Sequence, residues 1–205
     1  ESMSDGIMVD TKQPQINKVK VECRYLSKPD KLTFEWEAAI TPSGLAAAQY
    51  AIGNNPNGTN LNWNPADLKG WQTLTGMALE DQKTYYLYIR AQSLAAGENG
   101  GTIWSEPVCS EPFTIDTTPP EIIKIISPLD GMNSRHFLLQ WEGRDTGSGI
   151  AEYRYAVGST RGGCDLTDGW ISLVTDKTNI SFYRDDLPLT HGSKFYLSVM
   201  AKNGA

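Results

Sequence analysis

The sequence predicts an all-β chain built as two tandem antiparallel β-sandwiches, and three observations predict it. A strand-and-turn unit occurs twice, as Ala48-Gln-Tyr-Ala-Ile-Gly-Asn-Asn-Pro-Asn-Gly-Thr-Asn-Leu61 and Tyr153-Arg-Tyr-Ala-Val-Gly-Ser-Thr-Arg-Gly-Gly-Cys-Asp-Leu166. Tyr155 stands 105 residues after Tyr50 and Leu166 stands 105 after Leu61, and a fixed offset marks two copies of one domain. Apolar residues alternate with polar ones in several short runs, the period-2 signature of half-buried strands. The 205 residues suffice for two domains of about 100 residues, each able to bury its own core.

In chain order, residues 1–13 align with residues 107–119 at an offset of 106, Ser4 on Ser110, Asp10 on Asp116 and Thr11 on Thr117. They are expected to be the last strand and linker of a preceding repeat. A first full repeat follows over 14–118. Residues 16–25 read as an edge strand, and Leu32, Phe34 and Trp36 alternate with Thr33 and Glu35. A Pro-Ser-Gly turn at 42–44 leads to the strand around Tyr50 and Ile52. The turn from Asn54 to Asn60 uses residues that tolerate positive φ. Trp63, a strand near 72–75, and the alternation of Tyr85, Leu87, Ile89 and Ala91 with Tyr86, Tyr88 and Arg90 come next. A glycine-rich turn at 97–101, Trp104-Ser-Glu-Pro and a final strand near 108–115 complete the repeat.

The joint Asp116-Thr-Thr-Pro119-Pro120 is stiff, because each proline fixes φ and holds its predecessor extended. The second repeat, 119–205, repeats the plan. Phe137, Leu139 and Trp141 lie 105 residues beyond Leu32, Phe34 and Trp36, Trp170 lies 107 beyond Trp63, and Phe195 lies 110 beyond Tyr85. The added residues fall in loops while strands keep their phase, as shared packing demands. This repeat is expected to lack its last strand. An open sheet edge is a template for pairing, so residues 4–11 of one molecule are expected to add to the second domain of another.

Composition excludes several function classes. Forty per cent hydrophobic and 10% aromatic residues are those of a globular protein, and a net charge of −6 argues against nucleic-acid binding. No apolar run is long enough to span a bilayer. The opening residues read as a cut segment, so the lack of a leader is uninformative. The three cysteines, Cys23, Cys109 and Cys164, have no metal-ligand spacing. Cys23 and Cys109 lie near the two ends of the first repeat and either pair or serve as small hydrophobes.

No nucleophile elbow, phosphate loop or zinc-protease motif occurs, and the glycine-rich turn at 158–163 lacks the following helix that a phosphate cradle needs. His136 and His191 have no evident partners, so no enzyme activity and no cofactor are expected. Asp145, in Arg144-Asp-Thr-Gly-Ser-Gly-Ile150, is a weak calcium candidate that needs more oxygens than the loop offers. Asp165, Asp168, Asp185 and Asp186 read as a solvated acidic face. Trp63, Trp71, Trp104 and Trp170 are weak candidates for a carbohydrate platform, against the commoner fate of burial. The sequons at Asn57 and Asn179 have meaning only where a source glycosylates.

Leu139-Gln-Trp141, Tyr153-Arg-Tyr-Ala-Val-Gly158, Leu187, the strand Phe195-x-Leu-x-Val-x-Ala201 with Lys-Asn-Gly after it, and Trp104-Ser-Glu-Pro together resemble fibronectin type III-like domains. The Asp-Thr-Thr-Pro-Pro joint is typical of such arrays, many of them on bacterial secreted or surface proteins. The resemblance covers nearly the whole chain. It implies an immunoglobulin-like sandwich with Trp36 and Trp141 between the sheets. It also implies a tyrosine corner at Tyr85 that Phe195 lacks, losing a hydrogen bond of about 1 kcal/mol. Its functional expectation is a non-catalytic spacer or interaction module of an extracellular or cell-surface protein. The alternatives are a carbohydrate- or protein-binding adhesin segment, or an accessory region of a secreted polysaccharide-degrading enzyme. Trp104-Ser-Glu-Pro also resembles cytokine receptors, but their paired disulfides are beyond three scattered cysteines.

Overall fold

A computed structural model describes residues 9–39, 41–97, 100–126 and 137–205. The chain divides into two compact units, one ending at Thr117 and one starting at Thr118. The all-β class and the antiparallel sandwich are as expected: each unit is built of two β-sheets with the strand orders given below. Among the described residues no helix is long and apolar enough to cross a membrane.

In unit 1, β1 (Gln15–Val21), β3 (Lys31–Ala39) and β6 (Trp71–Thr75) form one sheet in the order β1-β3-β6. The other sheet runs β2-β10-β7-β4-β5, from β2 (Tyr25–Leu26), β10 (Phe113–Ile115), β7 (Thr84–Ala96), β4 (Leu45–Gly53) and β5 (Asn64–Ala66). Strands β8 (Thr102–Trp104) and β9 (Val108–Cys109) also pair with β7. Every pairing is antiparallel except the two-residue match of β10 with β2. The alternation in β3 sends Leu32, Phe34 and Trp36 into the core, where they meet Leu87, Ile89, Phe113 and Ile115.

Unit 2 pairs β11 (Glu121–Ile126), β12 (Phe137–Arg144) and β15 (Asn179–Arg184) in one sheet. The other runs β14-β13-β16, from β14 (Ile171–Val174), β13 (Ile150–Gly158) and β16 (Tyr196–Asn203). Its core is an aromatic cluster: the Trp141 ring lies 5.6 Å from both Tyr153 and Tyr155 and 5.8 Å from Phe182. The repeat extends to irregularities. Register shifts between Ile16 and Lys18 and between Ile122 and Lys124 occupy equivalent places, as do those after Leu45 and after Ile150. Such bulges are built-in bends of a strand, not accidents.

Four expectations need correction. The single last strand expected over 108–115 is broken into β9 and β10, with β8 before them. Ser105 and Ser110 cause the breaks. Each donates its N–H to a β7 carbonyl (Ala91 and Leu87, both 2.8 Å) and accepts the same residue's N–H on its hydroxyl (3.0 and 3.1 Å). A proline two residues after each serine lacks the N–H a ladder needs. The edge strand expected over 16–25 stops at Val21, and Tyr25–Leu26 crosses to the other sheet.

Tyr88, expected outward, is only 3% exposed. It lies against Gly58 of the 54–61 turn and its hydroxyl donates to the Asn55 carbonyl, so that turn folds over the outer face of β7. Cys23, expected to be buried or paired, is an exposed free thiol; Cys109 and Cys164 are also free.

Residues 4–8 and His136 lie outside the described residues. Val9–Gln13 form no strand; Asp10 instead accepts hydrogen bonds from the Ser43 N–H (3.0 Å) and hydroxyl (2.6 Å) of unit 1. Those bonds, the hydroxyl's first, hold the Asp10 carboxyl below its ordinary value. Pro119 is exposed and Pro120 half-buried, both between strands. The Tyr85 hydroxyl accepts the Glu80 N–H at 2.9 Å, the corner bond of unit 1. Phe195, with no hydroxyl, packs against the unit 2 core, its ring edge-on to Phe137 at 5.1 Å.

Candidate functional site

The four tryptophans singled out as surface candidates separate into two kinds. Trp63 and Trp104 are half-buried, whereas Trp71 is 59% and Trp170 41% exposed.

Trp63 and Trp104 enclose Arg90. Its guanidinium carbon stands 4.3 Å from the Trp63 ring centre and 4.6 Å from that of Trp104. Arg90 is on β7 opposite Gln49 on β4, and its Nε and Nη2 donate to the Gln49 Oε1 at 2.9 and 2.6 Å. Trp63 enters just before β5, and Trp104 ends β8 beside Gln92. Three segments distant in sequence are thus tied across one sheet face. A guanidinium between two indoles gains from both ring quadrupoles, each contact about 0.5–2 kcal/mol. Both rings are used up in this stack, so it serves the fold. Arg90 was legible only as an outward cation on the longest strand; the rings that hold it come from loops whose course alternation does not predict.

Trp71 belongs to the other sheet. It opens β6 opposite Glu35, and the outer face around it carries Lys18, Lys20, Thr33, Glu35, Glu37 and Thr73. Lys18 reaches Glu35 and Glu37 at 3.3 Å each, and Lys20 reaches Glu35 at 3.9 Å. The paired carboxylates raise the proton affinity of Lys18, Glu35 first. A groove of about 530 Å³ runs over this face between Lys20 and Trp71.

The turn before Trp71 is tightly determined. Asp67 accepts the Lys69 N–H at 2.9 Å, its own N–H goes to Gln72 at 3.0 Å, and the Gly70 carbonyl accepts the Trp36 N–H at 2.7 Å. Gly70 has φ of +82°, and a Cβ there would meet the Trp36 carbonyl at 2.9 Å, so only glycine fits.

The acidic positions do not converge. Among the described residues no group of three His, Cys, Asp or Glu side chains could hold a metal. Asp145 accepts the Gly147 and Gly149 N–H groups on one oxygen, at 3.1 and 2.7 Å, which closes the turn into β13. Its other oxygen is buried without a partner. Asp165 accepts the Ser159 N–H at 3.0 Å, while Asp186 pairs with Arg184, which also donates to the Tyr155 hydroxyl at 2.7 Å. His191 lies in the turn before β16.

No family model matches the sequence, and no characterised protein matches it either. Among solved structures the chain is similar to a two-domain fibronectin type III segment of chicken tenascin. That match has 14% identity and a TM-score of 0.36, and covers 94% of this chain and 93% of that one. It is also similar to the FN1–FN3 domains of chicken CNTN1, with 12% identity and a TM-score of 0.40, over 89% of this chain and 60% of that one.

Proposed function

We propose that the chain is a non-catalytic spacer and interaction segment of a multidomain extracellular or cell-surface protein. The observation that carries this reading is that each unit closes its own core, around Trp36 in one and Trp141 in the other. The most elaborate side-chain assembly, the Arg90 stack, is spent on holding one sheet together. The Pro119-Pro120 joint adds stiffness at the boundary between the two cores. Pulling the whole chain from its two ends in a single-molecule instrument tests the reading. Two separate unfolding events are expected; one cooperative event would sink it.

A second reading concerns self-association. Among the described residues β16 pairs with β13 alone, whereas β7, its counterpart in unit 1, pairs on both edges. Val9 is 81% exposed, while Ile115, its counterpart at the 106 offset, is fully buried in unit 1. We infer that residues 4–11 of one copy pair with the free edge of β16 in another. Sedimentation of the 205-residue chain should give a concentration-dependent dimer that Val9→Asp abolishes; a monomer at every concentration removes this reading.

A further inference from the structure

The outer face of β1-β3-β6 in unit 1 carries a feature that folding does not require. The repeat supplies the control. In unit 2 the equivalent cross-strand set is Ile126, Gln140 and Ser181, which stand where unit 1 has Lys20, Glu35 and Trp71. The same sandwich therefore forms with a serine at the Trp71 position. Burial does not explain Trp71 either, since it is 59% exposed at the rim of the 530 Å³ groove. That volume lies within the range of small-ligand sites. Rigidity is built in through Gly70, which holds the turn against the Trp36 backbone.

The chemistry of the rim selects a ligand class. Lys18 and Lys20 are paired with Glu35 and Glu37, and Lys69 with Asp67 at 3.8 Å; Glu22 also lines the groove, so three cations meet four carboxylates and the face is close to neutral. It offers little net charge to an anion or a cation, yet it presents both strong donors and strong acceptors beside an exposed indole. Vicinal hydroxyl groups need both, and the C–H face of a pyranose ring covers an indole. We propose that this groove binds a neutral oligosaccharide, one sugar ring stacked on Trp71 and hydroxyls of the next ring shared between Glu35 and Lys20. The proposal adds to the spacer reading and does not depend on it: two unfolding events with no sugar binding would keep one and remove the other.

The test is an NMR titration of the whole chain, labelled with ¹⁵N-tryptophan, using cellohexaose, maltohexaose, mannohexaose and chitin hexasaccharide. The expected result is a saturable shift of the Trp71 indole signal with at least one of these, while the Trp170 signal stays in place. Trp71→Ala should weaken binding on the order of tenfold or more, and Glu35→Gln should weaken it by a smaller factor with the fold intact. No shift with any of the four sugars overturns the proposal. So does unchanged affinity in Trp71→Ala, or a response only to polygalacturonate or to a lysine-rich peptide, which would assign the face to a charged partner.

Discussion

The two units build the same strand and corner, from residues 48–61 and 153–166, and close the corner by different means. In unit 1 the turn is held from outside: Tyr88 lies over Gly53 and Gly58 and bonds the Asn55 carbonyl. In unit 2 no tyrosine stands at that place; Ser198 does, facing Ala156. There the backbone closes on itself, with Gly158 so near Gly163 that a Cβ would fall 2.3 Å from the Gly163 carbonyl carbon. The two cores differ in the same sense. Unit 1 mixes Phe34, Trp36 and Phe113 with aliphatic side chains from both sheets, whereas unit 2 gathers three aromatic rings around Trp141. One fold thus tolerates two packing solutions, provided strand phase and bulge positions are kept.

Removing the largest ring gives the largest expected effect. Trp141→Ala should cost unit 2 about 3–5 kcal/mol, because three neighbouring rings cannot close over the cavity. Urea unfolding followed by NMR should show the unit 2 signals lost early and the unit 1 transition unmoved. A shift of both transitions would mean that the cores are not independent.

Alanine at the corner glycine separates the two closures. Gly158→Ala should destabilise unit 2 by about 1–3 kcal/mol, since the obstruction is Gly163 backbone. Gly53→Ala, where the obstruction is the tip of the Leu61 side chain, should cost clearly less. Equal midpoints in a thermal melt of the two variants would erase the distinction.

The third comparison converts unit 1 towards unit 2. Arg90 corresponds to Met200 at the 110 offset, and Arg90→Met should cost unit 1 about 1–2 kcal/mol through the lost contacts with Trp63 and Trp104. Met200→Arg should not stabilise unit 2, because it sets a second guanidinium directly opposite Arg154.

The smallest expected effect is on acid stability. In unit 1 the Asp10 carboxyl is held low, by the Ser43 hydroxyl first. Among the described residues of unit 2 three are held low: Glu152 by Arg154, Asp165 by the Ser159 N–H and Asp186 by Arg184. A carboxyl lowered on folding adds stability above its unfolded value, near 4, and loses it as pH falls through the folded value. Stability should therefore be level above about pH 5 and decline below pH 4, more steeply for unit 2. Chemical-shift titration of the four carboxyls checks both the direction and the order.

Much of this was open to a reader of the chain alone. Strand phase was, because inward and outward residues of β3, β7 and β12 alternate and a one-residue slip would turn Trp36 or Trp141 to water. The duplication was, because both copies must satisfy the same packing. The candidate face was half legible: Trp71 stood out by residue type, but nothing local set it apart from Trp63 and Trp104. Only pairing across strands shows that Arg90 occupies two of those indoles and that Glu35 and Lys20 stand beside the third.

What the amino-acid order determined by itself was therefore the all-β class, the repeat and the inward residues, since each follows from period and spacing along one strand. Tertiary structure decided which outward residues remain outward. Tyr88 is covered by a turn, the last strand of unit 1 is broken by two serines that replace ladder bonds, and Trp71 is left open. The physical reason is common to all three. Burial of an outward side chain depends on where a loop from elsewhere in the chain lands, and that is fixed by contacts between residues far apart in sequence.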